Sequence, residues 1–255
     1  MSDLLKRDKL PSFLKLPYQF DLSKIIQALK DAPDQFDDLE DHSSYSKVAE
    51  TCHSLEETFG LKFSSIEDAY EYLRKNNVKP ENMNWDYRDF VKSDGDSFRI
   101  TDNPYKQLAL TEYDPNFSRD EFETKIPSSR LDERQYRKIK DWVRGTYLEE
   151  VINTFKGNVT RVRVARMEPG SVIGEHIDYN TDYSIRVHIP ITTNEDCGFY
   201  VKRSRKAEKE FLAMPASGEC WFLNQGFLHS AWNKGDEPRD HLVLSISGQV
   251  DLDIV

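Results

Sequence analysis

Ser184-Ile185-Arg186-Val187-His188-Ile189 alternates apolar and polar side chains. Strand side chains point to opposite faces in turn, so Ile185, Val187 and Ile189 share one face and Arg186 and His188 share the other. The same period-two reading continues outward over Ser184 to Thr192, Val159 to Met167, Gly198 to Lys202, Lys209 to Met214, Glu219 to Leu223, Leu228 to Asn233 and His241 to Ser247. Turn signals separate these runs: Glu168-Pro169-Gly170, Thr193-Asn194-Glu195-Asp196, Pro215-Ala216-Ser217-Gly218 and Lys234-Gly235-Asp236-Glu237-Pro238. Many short antiparallel strands at this spacing suggest a sandwich or a jelly roll.

Upstream of Gly157 the period changes. Asp21 to Lys30 reads as a short helix with Ile25, Ile26 and Leu29 on one side. Ser65 to Asn76 reads as another, with Ser65 as N-cap and Asp68 three residues on. The strongest helical pattern runs from Leu131 to Phe155, where Leu131, Tyr136, Ile139, Trp142, Val143, Tyr147, Leu148, Val151, Ile152 and Phe155 keep three-four spacing. Ser129 with Asp132 would cap it and Gly157 would stop it. Asn84 to Phe90 reads as loop or short strand. The division expected is a helical and irregular part over residues 1–157, packed on a β core over residues 158–255, together forming one structural unit.

The 255 residues are long enough to bury a real core. The net charge is −10 and the pI about 5.2. Nucleic-acid binders usually present a basic stripe, so nucleic acid is not an expected partner. The one basic run, Lys202-Arg203-Ser204-Arg205-Lys206, reads as a solvated hairpin tip. Three scattered cysteines, Cys52, Cys197 and Cys220, form no C-x-x-C and fit a reducing cytoplasm. The first eight residues contain no apolar core of a signal peptide, and no apolar run reaches membrane-spanning length, so no membrane partner is expected.

The chemistry concentrates in Gly174-Glu175-His176-Ile177-Asp178-Tyr179. In an extended segment His176 and Asp178 project from one face. A second histidine, His229, follows 51 positions after Asp178. Two histidines and a carboxylate are the facial triad of non-haem Fe(II) oxygenases, which leaves the other metal positions open. Arg186 needs a buried anionic partner or water, because the other face of its strand is apolar. Arg239 opens the last strand, with His241 on its face and Leu242, Leu244 and Ile246 on the other. The two strands can direct Arg186, His188 and Arg239 towards one cavity. Guanidinium binds carboxylate bidentately, so an acid with one carboxylate at iron and the other on arginine would suit such a cavity; 2-oxoglutarate is such an acid. An ordinary interstrand ion pair is the competing role for each arginine, and a surface position the competing role for His241.

Arg166-Met167-Glu168-Pro169-Gly170, His176, Arg186-x-His188, His229 and Arg239 together resemble the aspartyl/asparaginyl β-hydroxylase group of Fe(II)/2-oxoglutarate oxygenases, which also includes some free-amino-acid (proline) hydroxylases. The resemblance covers Val159 to Val250. It implies a double-stranded β-helix, the jelly-roll or cupin-like barrel, mainly β with helices (α+β) and braced by the N-terminal helices. It implies Fe(II) on His176, Asp178 and His229. It implies 2-oxoglutarate on Arg239, ten residues after His229, with Arg186 and His188 as a second co-substrate contact; the alternative role for Arg186 is to hold a substrate carboxylate, with Arg239 alone gripping 2-oxoglutarate. O₂ would be the oxidant, succinate and CO₂ the co-products, and a free or peptidyl amino acid the substrate. Mammalian-type members carry Gly where this chain has Asp178. That makes the chain more like the free-amino-acid hydroxylases and unlike a halogenase. Trp85, Tyr87, Arg88, Tyr179 and Trp232 are candidates for the substrate mouth. Two other readings stay open: a cupin-like metalloenzyme that does not use 2-oxoglutarate, and a degenerate, non-catalytic binding module. Oligomeric state leaves no mark in the sequence.

Overall fold

The computed structural model describes residues 4–33, 36–38, 91–94, 97–100, 105–122, 124 and 132–253. The helix expected over Ser65 to Asn76 and the segment Asn84 to Phe90 lie outside the described residues. Among the described residues no helix is long and apolar enough to cross a membrane.

In chain order the strands are β1 (Phe13–Gln19), β2 (Asp37–Asp38), β3 (Val91–Asp94), β4 (Ser97–Ile100), β5 (Tyr105–Ala109), β6 (Thr111–Glu112), β7 (Lys138–Ile139), β8 (Asn158–Met167), β9 (Ser171–His176), β10 (Ile185–Thr192), β11 (Cys197–Lys202), β12 (Glu210–Leu212), β13 (Glu219–Leu223), β14 (Leu228–Asn233) and β15 (Arg239–Ser247). The helices are α1 (Leu22–Lys30) and α2 (Tyr147–Thr154). The seven-stranded sheet runs β1-β13-β10-β15-β8-β5-β2, and the four-stranded sheet runs β12-β11-β14-β9. All of their pairings are antiparallel. From β8 to β15 the chain passes back and forth between the two sheets, broken only by the β11–β12 hairpin within the small sheet, which is the winding of a jelly roll. The fold is therefore mainly β with few helices, as expected.

The large sheet is amphipathic by parity. Ile185, Val187 and Ile189 of β10, Val162 and Val164 of β8, and Leu242, Leu244 and Ile246 of β15 share a core with Ile25 of α1 and Leu148, Val151 and Ile152 of α2. The opposite parity faces the small sheet, where Met167, Phe199, Val201, Leu223 and Ala231 form a second, smaller cluster. Asp21 caps α1, accepting hydrogen bonds from the backbone N–H groups of Ser23 and Lys24 at 3.0 and 3.3 Å. Such a cap is worth about 1 kcal/mol.

Two parts of the chain differ from expectation. Leu131 to Phe155 is not one helix. It forms a 3₁₀ turn (Glu133–Gln135), β7, a second 3₁₀ turn (Asp141–Val143) and only then α2. Gly145 at φ +72° interrupts the helical path, and the Thr146 hydroxyl restarts it by accepting from Leu148 N–H at 3.2 Å. Asp132 caps the first 3₁₀ turn instead of a long helix. Ser129 lies outside the described residues. Gly157 does not stop α2. Its N–H donates to Asp251 Oδ2 at 2.8 Å, and a Cβ there would lie 2.5 Å from Ile246 Cγ2. The second difference is the N-terminal segment: β1 and β5 extend the large sheet, pairing with β13 and β8. Pro17 sits in β1, tolerated because β1 is an edge strand with a register shift between Lys15 and Gln19.

Candidate metal centre

The small sheet brings the histidines together. β9 and β14 are neighbours, and His176 and His229 are direct cross-strand partners. Their rings lie 4.2 Å apart between centroids. Asp178 departs from the extended segment expected for it: β9 ends at His176, and Asp178 lies in the turn beyond. Its N–H donates to the Gln225 carbonyl at 3.1 Å, which ties that turn to the segment after β13. The turn still leaves Asp178 Oδ1 3.5 Å from His176 Nε2. One ligand atom from each of the three residues lies within 4.8 Å of the others.

Metal–ligand bonds of roughly 2.1 Å place adjacent donors roughly 3 Å apart, so this group fits one ion after small side-chain adjustments. The donor set also fits chemically, because two imidazoles and one carboxylate suit ferrous iron with open positions. His229 Nδ1 lies 2.9 Å from the Phe227 carbonyl, which accepts the Nδ1 proton and leaves Nε2 as the free donor atom. Burial, reinforced by the charge of His176, pushes the His229 pKa down to about 4, so its ring is neutral near pH 7. Burial alone would raise the Asp178 pKa, but His176, Arg186 and His229 outweigh it and hold the carboxylate ionised.

All six expected site residues line one cavity between the sheets, which encloses about 530 Å³ with its mouth included. Arg186 is only 5 % exposed. Its Nε donates to Gln225 Oε1 at 2.6 Å, and its Nη2 lies 3.3 Å from both Glu133 Oε2 and Asp178 Oδ2. Among the described residues its Nη1 has no hydrogen-bond partner. Arg186 thus faces the cavity while largely committed to the protein's own carboxylates.

Arg239 is different. It is 4 % exposed, and among the described residues no carboxylate lies within ion-pair distance of it. Its Nε donates to His241 Nε2 at 3.1 Å, its Nη1 points at Met167 Sδ at 2.7 Å, and its guanidinium sits 4.2 Å from the Phe199 ring centroid. The adjacent Asp240 turns the other way and takes Arg166 at 2.8 and 2.7 Å. Burial pushes the Arg239 pKa down to about 10. Among the described residues His188 has no hydrogen-bond partner on either ring nitrogen, and burial holds its pKa well below the usual histidine value.

Sequence reasoning missed three contributors. His241, read as a surface candidate, is 2 % exposed and accepts from Arg239. Glu133 reaches the site from the first 3₁₀ turn and binds Arg161, Arg186 and Ser245. Arg163 lines the cavity from β8. The parity that singled out Arg186 applies equally to Arg163, because Val162 and Val164 flank it on the apolar face. Trp232 does not line the cavity; its parity is opposite to that of His229 and Ala231, and its ring packs near Tyr200 and Phe211. Tyr179 lies against Tyr183, with ring centroids 4.5 Å apart. Trp85, Tyr87 and Arg88 lie outside the described residues.

Among solved structures, the chain is similar to an oxidoreductase of the 2OG-Fe(II) oxygenase family from Burkholderia pseudomallei. The identity is 15 %, with 80 % of this chain and 90 % of that one covered and a TM-score of 0.37. It is also similar to a predicted oxalate decarboxylase from Thermotoga maritima, at 16 % identity over 38 % of this chain and 72 % of that one, with a TM-score of 0.26. The strand order, not these distant likenesses, carries the fold. The aspartyl/asparaginyl β-hydroxylase family model matches residues 63–248. With a jelly roll, a His-Asp-His group and a match over most of its length, the chain belongs to the aspartyl/asparaginyl β-hydroxylase family, and is a hydroxylase-type oxygenase.

Proposed function

We propose that this protein is an Fe(II)/2-oxoglutarate-dependent dioxygenase that hydroxylates an unactivated C–H bond of an amino acid, free or within a peptide. His176, Asp178 and His229 would hold the iron. When bound, iron and 2-oxoglutarate would supply O₂ activation, with succinate and CO₂ released as 2-oxoglutarate is decarboxylated. The chain's own contribution is placement and shielding.

The observation that carries this reading is Arg239, a buried guanidinium without a carboxylate partner, lining the same cavity as the candidate metal ligands. Burying an unpaired charge costs several kcal/mol, so such a group implies an anionic guest. Arg239 stands six residues along β15 from Ser245, the cross-strand partner of Arg186. The two guanidiniums therefore enter the cavity at separate places, as an elongated diacid with one carboxylate at the metal requires. His188 and His241, held neutral, can donate or accept hydrogen bonds along it without adding charge. Met167, Phe199 and Ala231 line the rest and limit water there, which protects a reactive oxidant.

A metalloenzyme that does not use 2-oxoglutarate would leave Arg239 without a function. Succinate release measured with Fe(II), 2-oxoglutarate and O₂ across a set of free amino acids and short peptides tests the proposal. Succinate that depends on iron, and rises severalfold with one class of amino-acid substrate, supports it. Metal binding without succinate under any of these conditions overturns it.

A further inference from the structure

The cavity holds a third guanidinium, Arg163. It projects from β8 on the same parity as Ala165 and Met167, and Val243 and Ala109 are its cross-strand neighbours. It is 7 % exposed. Among the described residues its Nε has no hydrogen-bond partner, and its side chain makes one long bond there, from Nη1 to the Arg161 carbonyl at 3.5 Å. Among the described residues no carboxylate lies within ion-pair distance of it. Glu133 acts on it electrostatically, but its two oxygens are taken by Arg161, Arg186 and Ser245.

Charge accounting gives this arginine its meaning, and it rests on the function proposed above. Bound Fe(II) would offset Asp178 and one carboxylate of 2-oxoglutarate. Arg239 would offset the other carboxylate. Arg186 is offset by Glu133, which it shares with Arg161, and the Arg161 side chain reaches solvent. Arg163 remains, buried, positive and facing the cavity. A buried arginine without a counterion is costly unless a ligand supplies one, and a guanidinium fork recognises a carboxylate bidentately.

We propose that Arg163 binds a carboxylate of the substrate itself, so that the protein acts on acid-bearing amino acids and discriminates against their amides. The carboxylate can be the α-carboxylate of a free amino acid or the side chain of an acidic residue in a peptide. Arg163 is a substrate-binding residue in this account and does not hold the co-substrate.

The test is calorimetric binding to anaerobic protein loaded with Fe(II) and 2-oxoglutarate. The probes are free L-amino acids beside their primary amides, and N-acetyl-L-aspartate amide beside N-acetyl-L-asparagine amide. Wild type, Arg163→Gln and Arg163→Lys are compared. In wild type at least one acid should bind tenfold or more tightly than its amide. In Arg163→Gln that ratio should fall to near one, Arg163→Lys should restore part of it, and 2-oxoglutarate affinity should stay within twofold in both. The pair that shows the preference tells an α-carboxylate from an acidic side chain. Loss of 2-oxoglutarate affinity in Arg163→Gln would contradict the inference, as would a preference for the acid that survives the substitution. Absence of any such preference in wild type would also overturn it. Wild type that fails to bind 2-oxoglutarate at all would instead refute the oxygenase reading beneath it. Arg163→Gln breaks no ion pair, so its thermal midpoint without ligand should be no lower than that of wild type.

Discussion

Arg186 Nη2 lies 3.3 Å from Asp178 Oδ2, which joins a candidate metal ligand to the large sheet through one guanidinium. The same nitrogen lies 3.3 Å from Glu133 Oε2, so a residue far from the metal in sequence helps to fix the ligand's position. This is the kind of supporting contact that orients metal-binding carboxylates.

Glu133 should therefore matter twice. It is 3 % exposed, and the neighbouring arginines outweigh its desolvation and hold its carboxyl far below the usual range. Glu133→Gln would take the shared counterion from half-buried Arg161 and leave buried Arg186 with Asp178 alone, and removing one partner of a buried pair costs about 3–5 kcal/mol. Urea unfolding should show that loss, and Fe(II) affinity should weaken because Arg186 can then pair more closely with Asp178. Unchanged unfolding would show the pair to be energetically idle.

Arg239 should behave in the opposite way. It has no carboxylate to lose, so Arg239→Met should leave the ligand-free protein as stable as wild type or more so. The same substitution should weaken 2-oxoglutarate binding by about thirtyfold or more, since truncating one side of a buried charge pair costs at least about 2 kcal/mol. Arg239→Lys should recover only part of this, because a point charge cannot reproduce the bidentate grip. Thermal midpoints with and without 2-oxoglutarate check both halves.

Acid should destabilise the metal-free protein early. Burial holds His188 and His241 well below the usual value of 6.5. Below about pH 6.5 the unfolded chain then binds more protons than the folded one, so stability falls as pH falls. Each histidine contributes at most about 1.4 kcal/mol per pH unit. The double variant His188→Gln, His241→Asn should show a shallower slope of stability between pH 7 and pH 5, measured by denaturant unfolding at each pH. An equal slope would mean that these rings are not the protonation sites that matter.

Gly157 offers a test of the fold alone. A Cβ there would meet Ile246 Cγ2 at 2.5 Å and Asp251 Oδ2 at 2.9 Å. Gly157→Ala should cost about 1–3 kcal/mol by overpacking, without changing metal affinity. A neutral result would show that Ile246 and Asp251 give way easily around Gly157.

β8 and β10 to β15 were legible because their side chains alternate between the cavity and the opposite face, as in Ile185-Arg186-Val187-His188, whereas β9 was marked only by the extended segment expected around His176. That parity also brought out Arg186, His188 and Arg239. β1 was not legible, because Pro17 interrupts a run that survives only at a sheet edge. The stretch from Leu131 to Phe155 misled because its three-four spacing is real while its apolar residues serve separate short elements. Tertiary packing and the break at Gly145 outweigh a periodicity that alone would make one helix. Glu133 was hidden for the same reason: on the polar side of the one long helix expected there a glutamate looks solvated, and the 3₁₀ turn carries it inward. Asp178 was identified as a ligand candidate by a strand parity it does not follow, since a turn held by Gln225 presents it.

The most direct test of the central claim is an anaerobic titration of the apoprotein with Fe(II) and 2-oxoglutarate, monitored for the visible metal-to-ligand charge-transfer band, with His176→Ala and Arg239→Ala alongside. The account predicts a band that needs both components, is lost in His176→Ala, and in Arg239→Ala requires far more 2-oxoglutarate. A folded, iron-loaded wild-type protein that shows no band at saturating 2-oxoglutarate would contradict it.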